Sequence, residues 1–260
     1  MSAEIIDRES HWVYKDKMTK LWTFLYRDML NLEDYAERVE HRLERGYGKK
    51  GIERLRQFTD IEGKYVLDSG CGCGEFVLES LLAGMDPVGI EPDDNFLECA
   101  ELLLKSYGFD PSSHLVKSKG ENTPFDDNIF DLIISNSVIE HVDDPSQYLD
   151  EMIRVMKPES LMWLKCPNYL HPYERHYKRY YPFFLPDRLV QLYFNLITGN
   201  NTNNFYTFNR ITPFFVKKKL QTRDDVDYRD LSEEESSGLF RSALAYIQMY
   251  PQIELLIKKV

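Results

Sequence analysis

One short stretch, residues 66–76, constrains the fold of this chain more than any other. It reads Val-Leu-Asp-Ser-Gly-Cys-Gly-Cys-Gly-Glu-Phe, which is an apolar run followed by G-x-G-x-G and the start of a helix-forming segment. Glycine allows the backbone to turn tightly and leaves it bare for a ligand. A glycine-rich turn between a strand and a helix is typical of α/β proteins, in which the helix N-terminus accommodates an anionic group. The stretch therefore predicts an α/β fold with a ligand site at this turn.

The pattern after residue 64 supports the same fold, because short apolar runs alternate with amphipathic segments. Strands are predicted at 65–68, 87–91, 114–117, 130–135, 161–165, 226–231 and 253–260, and helices at 75–83, 95–107, 145–156, 185–197, 212–220 and 232–249. Such alternation indicates βαβ units and a parallel sheet covered on both faces. Ligands of these sheets bind at the carboxyl ends of the strands, where the strand order reverses. We expect a Rossmann-like, doubly wound, mostly parallel seven-stranded sheet.

The first sixty residues read as helices rich in aromatic side chains. Segments 12–29, 32–45 and 52–58 carry the helical spacing, and Gly46 is expected to end the second of them. These helices either cap the active site or only pack on the sheet, and the sequence leaves both open. We expect residues 1–60 to be a helical cap and 61–260 to be the main domain, with a substrate-side insertion at about 167–222.

Charge and composition exclude several classes of protein. The net charge of −11 disfavours a nucleic-acid binder, which would carry a basic surface. No apolar run is long enough for a transmembrane helix, and the charged N-terminus does not resemble a secretory signal. The four cysteines show no zinc-type spacing and suit a reducing compartment, so a cytoplasmic location is expected. The net charge is positive between residues 165 and 188, where the sequence has five basic and two acidic residues.

The spacing of the glycines narrows the class of ligand. A nicotinamide-binding turn, G-x-G-x-x-G, would need glycine where this chain has Glu75, so a nicotinamide-dependent oxidoreductase is disfavoured. Asp68, immediately before the turn, suits a ligand with an ammonium group. Glu91 ends the second predicted strand, where a carboxylate can accept both hydroxyls of a ribose.

These residues resemble the motifs of class I S-adenosylmethionine-dependent methyltransferases of the type 11 group. The resemblance covers residues 66–74, 88–93, 119–133 and 154–158. It departs at Glu159 and Ser160, where many relatives have two glycines. It implies that S-adenosyl-L-methionine is the cofactor.

The resemblance also assigns a role to each matching position. Residues around the glycine turn would hold the methionine part, the end of the second strand would hold the ribose and adenine, and the segments after the third and fourth strands would flank the adenine and the methyl group. In chain order these positions are Asp68, Gly70, Cys71, Gly72 and Gly74; Glu91, Pro92 and Asp93; Gly120, Glu121 and Asn122; and Asn136, Ser137 and Val138.

Candidate catalytic residues lie after the fourth and fifth strands. His141 follows the fourth strand and is either a base or a packing residue. The segment 167–181 collects His171, Glu174 and His176, which suit an acid–base pair, a divalent metal site or only a structural loop. We predict the first of these and no metal.

The same segment points to the acceptor. Its cations, Arg175, Lys178 and Arg179, favour a phosphate- or carboxylate-bearing molecule. Its Pro-Asn-Tyr…Glu-x-His pattern is similar to a segment of methyltransferases associated with surface-glycan assembly.

The sequence therefore predicts a methyltransferase that modifies an O or N atom of a small-molecule or glycan acceptor. The alternative is a catalytically silent protein that binds S-adenosylmethionine and regulates or scaffolds a partner. Either would be a monomer or a homodimer.

Overall fold

A seven-stranded sheet forms the centre of the molecule. The computed structural model describes residues 4–30, 32–174, 179–180, 182, 184–198, 209–232 and 248–260. The strands of this sheet are β1 (Tyr65–Ser69), β2 (Asp86–Ile90), β3 (Leu115–Val116), β4 (Phe130–Asn136), β5 (Met156–Pro167), β8 (Val226–Asp230) and β9 (Gln252–Lys259). Two further short strands, β6 (Tyr173–Glu174) and β7 (Arg179–Tyr180), pair with each other outside it.

The strand order is β3-β2-β1-β4-β5-β9-β8. Strands β1 to β5 are parallel, whereas β9 runs antiparallel between β5 and β8. The chain moves outwards from β1 to β3 and then returns to place β4 on the other side of β1. The order therefore reverses between β1 and β4, which is where a ligand of this type of sheet binds. The predicted mostly parallel seven-stranded fold is confirmed.

Helices cover both faces of this sheet, as the βαβ pattern requires. They are α1 (Arg8–Thr23), α2 (Tyr35–Leu43), α3 (Gly46–Leu55), α4 (Glu75–Leu82), α5 (Asp94–Ser106), α6 (Pro145–Val155), α7 (Asp187–Thr198) and α8 (Pro213–Gln221). A π-helical turn at Phe24–Met29 follows α1. None of the described helices is long and apolar enough to cross a membrane.

The two faces of the sheet have separate cores. On one face, α6 and α8 bury Tyr148, Met152 and Val216 against apolar side chains of the central strands. On the other face, Ile52 and Leu55 of α3 pack against side chains of β1, β4 and β5. Burial of each large apolar side chain contributes roughly 1.5–3 kcal/mol, so these two layers fix the strands on which the site is built.

Side-chain caps fix the start of three helices close to the site. The carboxylate of Asp93 accepts hydrogen bonds from the amides of Asn95 and Phe96 at the start of α5. Asp144 caps α6 in the same way, and Thr212 caps α8 by accepting a hydrogen bond from the amide of Phe215. Caps of this kind contribute about 1 kcal/mol each, and the first two hold the helices that follow the predicted ribose and methyl-donor segments.

The N-terminal helices pack on α4 and α5. Helix α1 lies along α5, and α3 lies along α4. The predicted helix boundaries are wrong here, because Gly46 begins α3 instead of ending the helix before it. The turn is made by Arg45, which has a left-handed backbone with φ of 59°.

The fifth strand is also longer than predicted, since it begins at Met156 directly after α6. Pro158 and Glu159 lie within it, beside a shift in the register with β4 and before the regular pairing from Leu161 onwards. The helix predicted at 232–249 falls mostly on residues 233–247, outside the described residues, whereas the predicted terminal strand is present as β9.

Candidate active site

The glycine turn, residues 70–74, lies at the carboxyl ends of β1 and β2 and is held by its own hydrogen bonds. The amides of Gly70 and Cys71 both donate to the carbonyl of Ile90, each over 2.9 Å, and the amide of Gly74 donates to the carbonyl of Cys71. The amide of Gly72 donates to Oε2 of Glu91 over 3.0 Å. All four amides are therefore hydrogen-bonded within the protein, and these bonds fix the shape of the turn.

The three glycines of this turn face different surroundings. A Cβ atom on Gly70 would lie 2.6 Å from a methyl carbon of Val138, and one on Gly74 would lie 2.9 Å from Cβ of Ala100. A Cβ on Gly72 would meet no atom within 4 Å. All three have positive φ, which L side chains rarely adopt. Gly70 and Gly74 thus allow close packing, whereas Gly72 borders open space that a ligand can occupy.

Asp68 is a buried carboxylate at the end of β1, on the last residue but one before the turn. Asp68 is only 5% exposed, and its Oδ2 atom has no hydrogen-bond partner in the described part of the chain. Burial raises the pKa of Asp68 to about 7, and the charges of Glu91 and Glu75 raise it further. Such a group favours a cationic partner, because an unpaired buried charge is costly.

Glu91 is held rigidly at the end of β2. Its two oxygens accept one backbone hydrogen bond each, Oε2 from Gly72 and Oε1 from Asp93, both over 3.0 Å. Burial nevertheless raises the pKa of Glu91. The neighbouring Asp93 uses its carboxylate to cap α5, and Pro92 is exposed. Glu91 is therefore the oriented carboxylate of this segment.

The segment after β3 is fastened to α6. Oε1 of Glu121 accepts a hydrogen bond from the amide of Asp143, and the carbonyl of Glu121 accepts one from the side chain of Gln147. Gly120 lies against the ring of Tyr148, whereas the side chain of Asn122 is exposed. The carboxylate of Glu121 thus positions the loop before α6 and is committed to the protein.

The chain leaves β4 through two exposed residues, Asn136 and Ser137. Ser137 has a left-handed backbone with φ of 60°, and its amide donates to the carbonyl of Lys165 over 2.7 Å. Backbone strain of this kind in a residue other than glycine is concentrated at functional sites. The turn brings Val138 back against Gly70, so the segments after β1 and β4 meet as predicted from the topology.

His141 and Glu140 form the titratable pair of this segment. Nε2 of His141 lies 3.9 Å from Oε1 of Glu140, and the side chain of His141 is 44% exposed while that of Glu140 is fully buried. An accessible imidazole thus lies beside a buried carboxylate, and histidine is the side chain that most readily acts as a base near neutral pH.

The loop after β5 is described only in part. His171 is half-buried, and its Nδ1 atom accepts a hydrogen bond from the amide of Tyr173 over 3.2 Å. The backbone of Glu174 belongs to β6, but its side chain lies outside the described residues, as do Arg175, His176 and Lys178 and the side chain of Arg179. Among the residues that are described, no cluster of His, Cys, Asp or Glu could hold a metal ion.

Two further residues support the site: Tyr148, which the sequence did not single out, and Asn168, which the sequence indicated only as part of the Pro-Asn-Tyr pattern. Tyr148 lies between Ser69 and Ser135 at the ends of β1 and β4. Asn168 donates from its side chain to the carbonyls of Gln248 and Tyr250, each over 2.8 Å, and so fixes the start of the loop after β5. The signal for Asn168 was its place in the Pro-Asn-Tyr pattern, three residues after the predicted fifth strand, whereas Tyr148 reads as an ordinary buried position of a helix.

An ion pair joins the N-terminal helices to the glycine turn. Nη1 of Arg42 lies 3.0 Å from Oε1 of Glu75, the residue after Gly74. The guanidinium group also lies 4.0 Å from the ring centre of Trp22 and 4.1 Å from that of Tyr47. Glu75, which in the sequence only excluded a nicotinamide turn, therefore anchors these helices beside the turn.

Comparison with known proteins agrees with this geometry. A family model described as a methyltransferase domain matches residues 67–164, from β1 to β5. This match identifies a methyltransferase domain between β1 and β5. An uncharacterized methyltransferase of Mycobacterium leprae (strain Br4923) is 35% identical to the chain over 116 residues, which are 44% of this chain and 41% of the relative. The match with this methyltransferase thus spans less than half of the length of either protein.

Solved structures show the same fold at low sequence identity. A putative S-adenosyl-L-methionine-dependent methyltransferase of Methanococcus maripaludis matches with a TM-score of 0.54 and 14% identity, over 100% of this chain and 97% of that one. An N-methyltransferase of Haemonchus contortus, in complex with phosphomonomethylethanolamine and S-adenosylhomocysteine, matches with a TM-score of 0.55 and 14% identity, over 82% of this chain and 53% of that one.

Proposed function

We propose that this chain is an S-adenosylmethionine-dependent methyltransferase that modifies an O or N atom of an anionic small-molecule or glycan acceptor. The observation that carries the proposal is the buried carboxylate of Asp68, whose Oδ2 atom has no partner in the described part of the chain, next to the open face of Gly72. The methionine part of S-adenosylmethionine suits both features, because its ammonium group can pair with the carboxylate of Asp68 and its extended chain can lie against the open face of Gly72.

Glu91 suits the ribose of the same cofactor. Each carboxylate oxygen has two lone pairs and accepts one backbone hydrogen bond, so each can accept one ribose hydroxyl as well. The amides of Gly72 and Asp93 fix the orientation of the carboxylate before the cofactor arrives. Gly120 and Pro92 border the position expected for the adenine. The residues present therefore fit the cofactor that the family implies.

When bound, the cofactor supplies an electrophilic methyl group on a sulfonium. The protein's contribution is to hold the acceptor in line with that group and to exclude water. An acceptor hydroxyl also needs a base, and we assign this role to His141, which lies beside the buried Glu140, or to His171 in the loop after β5. Glu174 and His176 remain the further candidates in that loop.

The anionic character of the acceptor is supported by two arguments. The sequence has Arg175, Lys178 and Arg179 in the segment after β5, and ligands of such a sheet enter at the carboxyl ends of its strands. The structural neighbour from Haemonchus contortus is in complex with phosphomonomethylethanolamine, a phosphate-bearing molecule. A phosphate or carboxylate next to the reacting atom would be the group that these cations bind.

Calorimetry with S-adenosylhomocysteine tests the cofactor, with a nicotinamide dinucleotide as the control. We expect saturable heat from the first ligand alone, and the reverse pattern would exclude the proposal. Transfer of labelled methyl groups from S-adenosylmethionine to panels of phosphorylated, carboxylated and neutral acceptors then tests the reaction. Binding without transfer to any acceptor class would favour a catalytically silent cofactor-binding protein.

A further inference from the structure

Tyr148 occupies an unusual place at the carboxyl edge of the sheet. It belongs to α6, its side chain is fully buried, and its hydroxyl oxygen lies 3.0 Å from Oγ of Ser69 and 2.7 Å from Oγ of Ser135. The two serines are register partners on β1 and β4. The tyrosine hydroxyl therefore bridges the two strands between which the strand order reverses.

The hydrogen bonding of this group defines its chemistry. A phenol has one hydrogen to donate, so Tyr148 donates to one serine and accepts from the other. Burial raises the pKa of Tyr148, and the nearby charges of Glu140 and Asp68 act in the same direction. The hydroxyl therefore stays protonated and serves to hold its neighbours, not to transfer a proton.

The ring of Tyr148 holds a third segment of the chain. A Cβ atom on Gly120 would lie 2.5 and 2.7 Å from two ring carbons of Tyr148, and 3.3 Å from Oγ of Ser69. The backbone at Gly120 thus rests directly on the ring, and no larger residue fits without moving it. The tyrosine touches the end of β1, the end of β4 and the segment after β3.

Each of the three residues that Tyr148 contacts is followed in the sequence by a residue of the proposed cofactor site. Ser69 is followed by Gly70, Ser135 by Asn136, and Gly120 by Glu121. We propose that Tyr148 is a positioning residue that sets the relative placement of these three segments and thereby the affinity for S-adenosylmethionine. The inference rests on the proposed function and adds a residue outside the four stretches, 66–74, 88–93, 119–133 and 154–158, in which the sequence resembles the family motifs.

The variant Tyr148→Phe tests the inference because it keeps the ring against Gly120 and removes only the hydroxyl. We expect the Kd for S-adenosylhomocysteine and the KM for S-adenosylmethionine to rise about tenfold, which corresponds to the loss of one hydrogen bond to a buried partner. The value of kcat at saturating cofactor should stay within about twofold, because Tyr148 does not touch the reacting atoms.

Tyr65→Phe is the matched control, since Tyr65 lies at the opposite end of β1, stacked on Phe130. It should leave both constants unchanged. In a double-mutant cycle, Tyr148→Phe and Ser135→Ala should be clearly less than additive in their effect on the Kd, because they remove the same contact.

The outcomes separate this inference from the proposed function. Wild-type affinity in Tyr148→Phe, additive effects in the cycle, or an equal fall of kcat with unchanged KM would each overturn the positioning role alone. Absence of S-adenosylhomocysteine binding by the wild-type chain would remove the proposed function and this inference with it.

Discussion

The buried carboxylate of Asp68 makes cofactor binding dependent on pH in a way that can be calculated. Its pKa of about 7 in the free protein means that Asp68 is largely protonated at pH 6. Pairing with an ammonium group requires the charged form, so the proton must leave when the cofactor binds. Affinity should then fall about tenfold for each pH unit below 7 and be flat above it, because one proton is released per cofactor bound.

The sizes follow from the same pKa. Between pH 7.5 and pH 5.5 the Kd for S-adenosylhomocysteine should rise about 25-fold in the wild-type chain. The stability of the free protein should increase as the pH falls, whereas its affinity for the cofactor decreases. Because the folded-state pKa is raised from 3.8 to about 7, the cost of the buried charge is absent below pH 3.8 and is fully present above pH 7. Stability should fall as pH rises through this window, by up to about 1.4 kcal/mol per unit and roughly 4 kcal/mol in all.

The assay is titration calorimetry at several pH values in buffers with different ionisation enthalpies. At pH 6 the slope of the observed binding enthalpy against the ionisation enthalpy of the buffer should correspond to the release of close to one proton. At pH 8.5 the slope should correspond to the release of almost none. Asp68→Asn should bind more weakly at pH 8.5 and should lose the pH dependence between 5.5 and 7.5. Glu91→Ala is the control, because it should weaken binding at every pH and keep a pH dependence, with the midpoint moved to lower pH by the loss of the charge that raises the pKa of Asp68.

The reasoning is refuted if the wild-type affinity is independent of pH in this range, or if Asp68→Asn keeps the slope. Either result would mean that the ammonium group of the cofactor is not paired with Asp68.

Three other predictions concern neighbouring parts of the site. Glu91→Ala should weaken S-adenosylhomocysteine binding at least tenfold at pH 8 by calorimetry, and unchanged affinity would exclude Glu91 as the ribose ligand. Arg42→Met should lower the free energy of unfolding by about 3 kcal/mol in urea denaturation, because it leaves the carboxylate of Glu75 buried without its cation; a loss below about 1 kcal/mol would show that the pair is screened by solvent. His141→Ala and His171→Ala should reduce kcat while leaving the cofactor Kd unchanged, and full activity in both single variants would return these histidines to a structural role.

Much of this fold follows from local patterns. The strands between residues 65 and 136 and the helices between them were predictable, because each apolar run is bounded by a cap, a glycine or a proline that acts within a few residues. Thr212 and Pro213 begin α8, because threonine is favoured as the N-cap and proline at the first position of a helix. The glycine turn and Glu91 were found because two motifs one βα unit apart restrict each other more than either does alone.

The parts that the sequence did not predict depend on contacts between distant residues. Tyr148 is one apolar-looking position of α6, and its role appears only when Ser69, 79 residues away, reaches it through the fold. Arg45 takes a left-handed conformation that no local rule assigns to arginine, and its side chain forms an ion pair with Glu79 of α4. Strand β5 begins earlier than predicted because pairing with β4 overrides the low strand propensity around Pro158.

The position of β9 has a consequence for the order in which the molecule folds. Strand β8 is made before β9, but it joins the sheet only through β9, which pairs with β5 on its other side. During synthesis, β8 must therefore wait unpaired until the following strand has emerged, and the edge of β5 stays open for the same period. Exposed strand edges promote aggregation during this interval. A stalled or shortened chain that ends after β8 should thus be trapped by chaperones, even though the complete glycine turn has already been made.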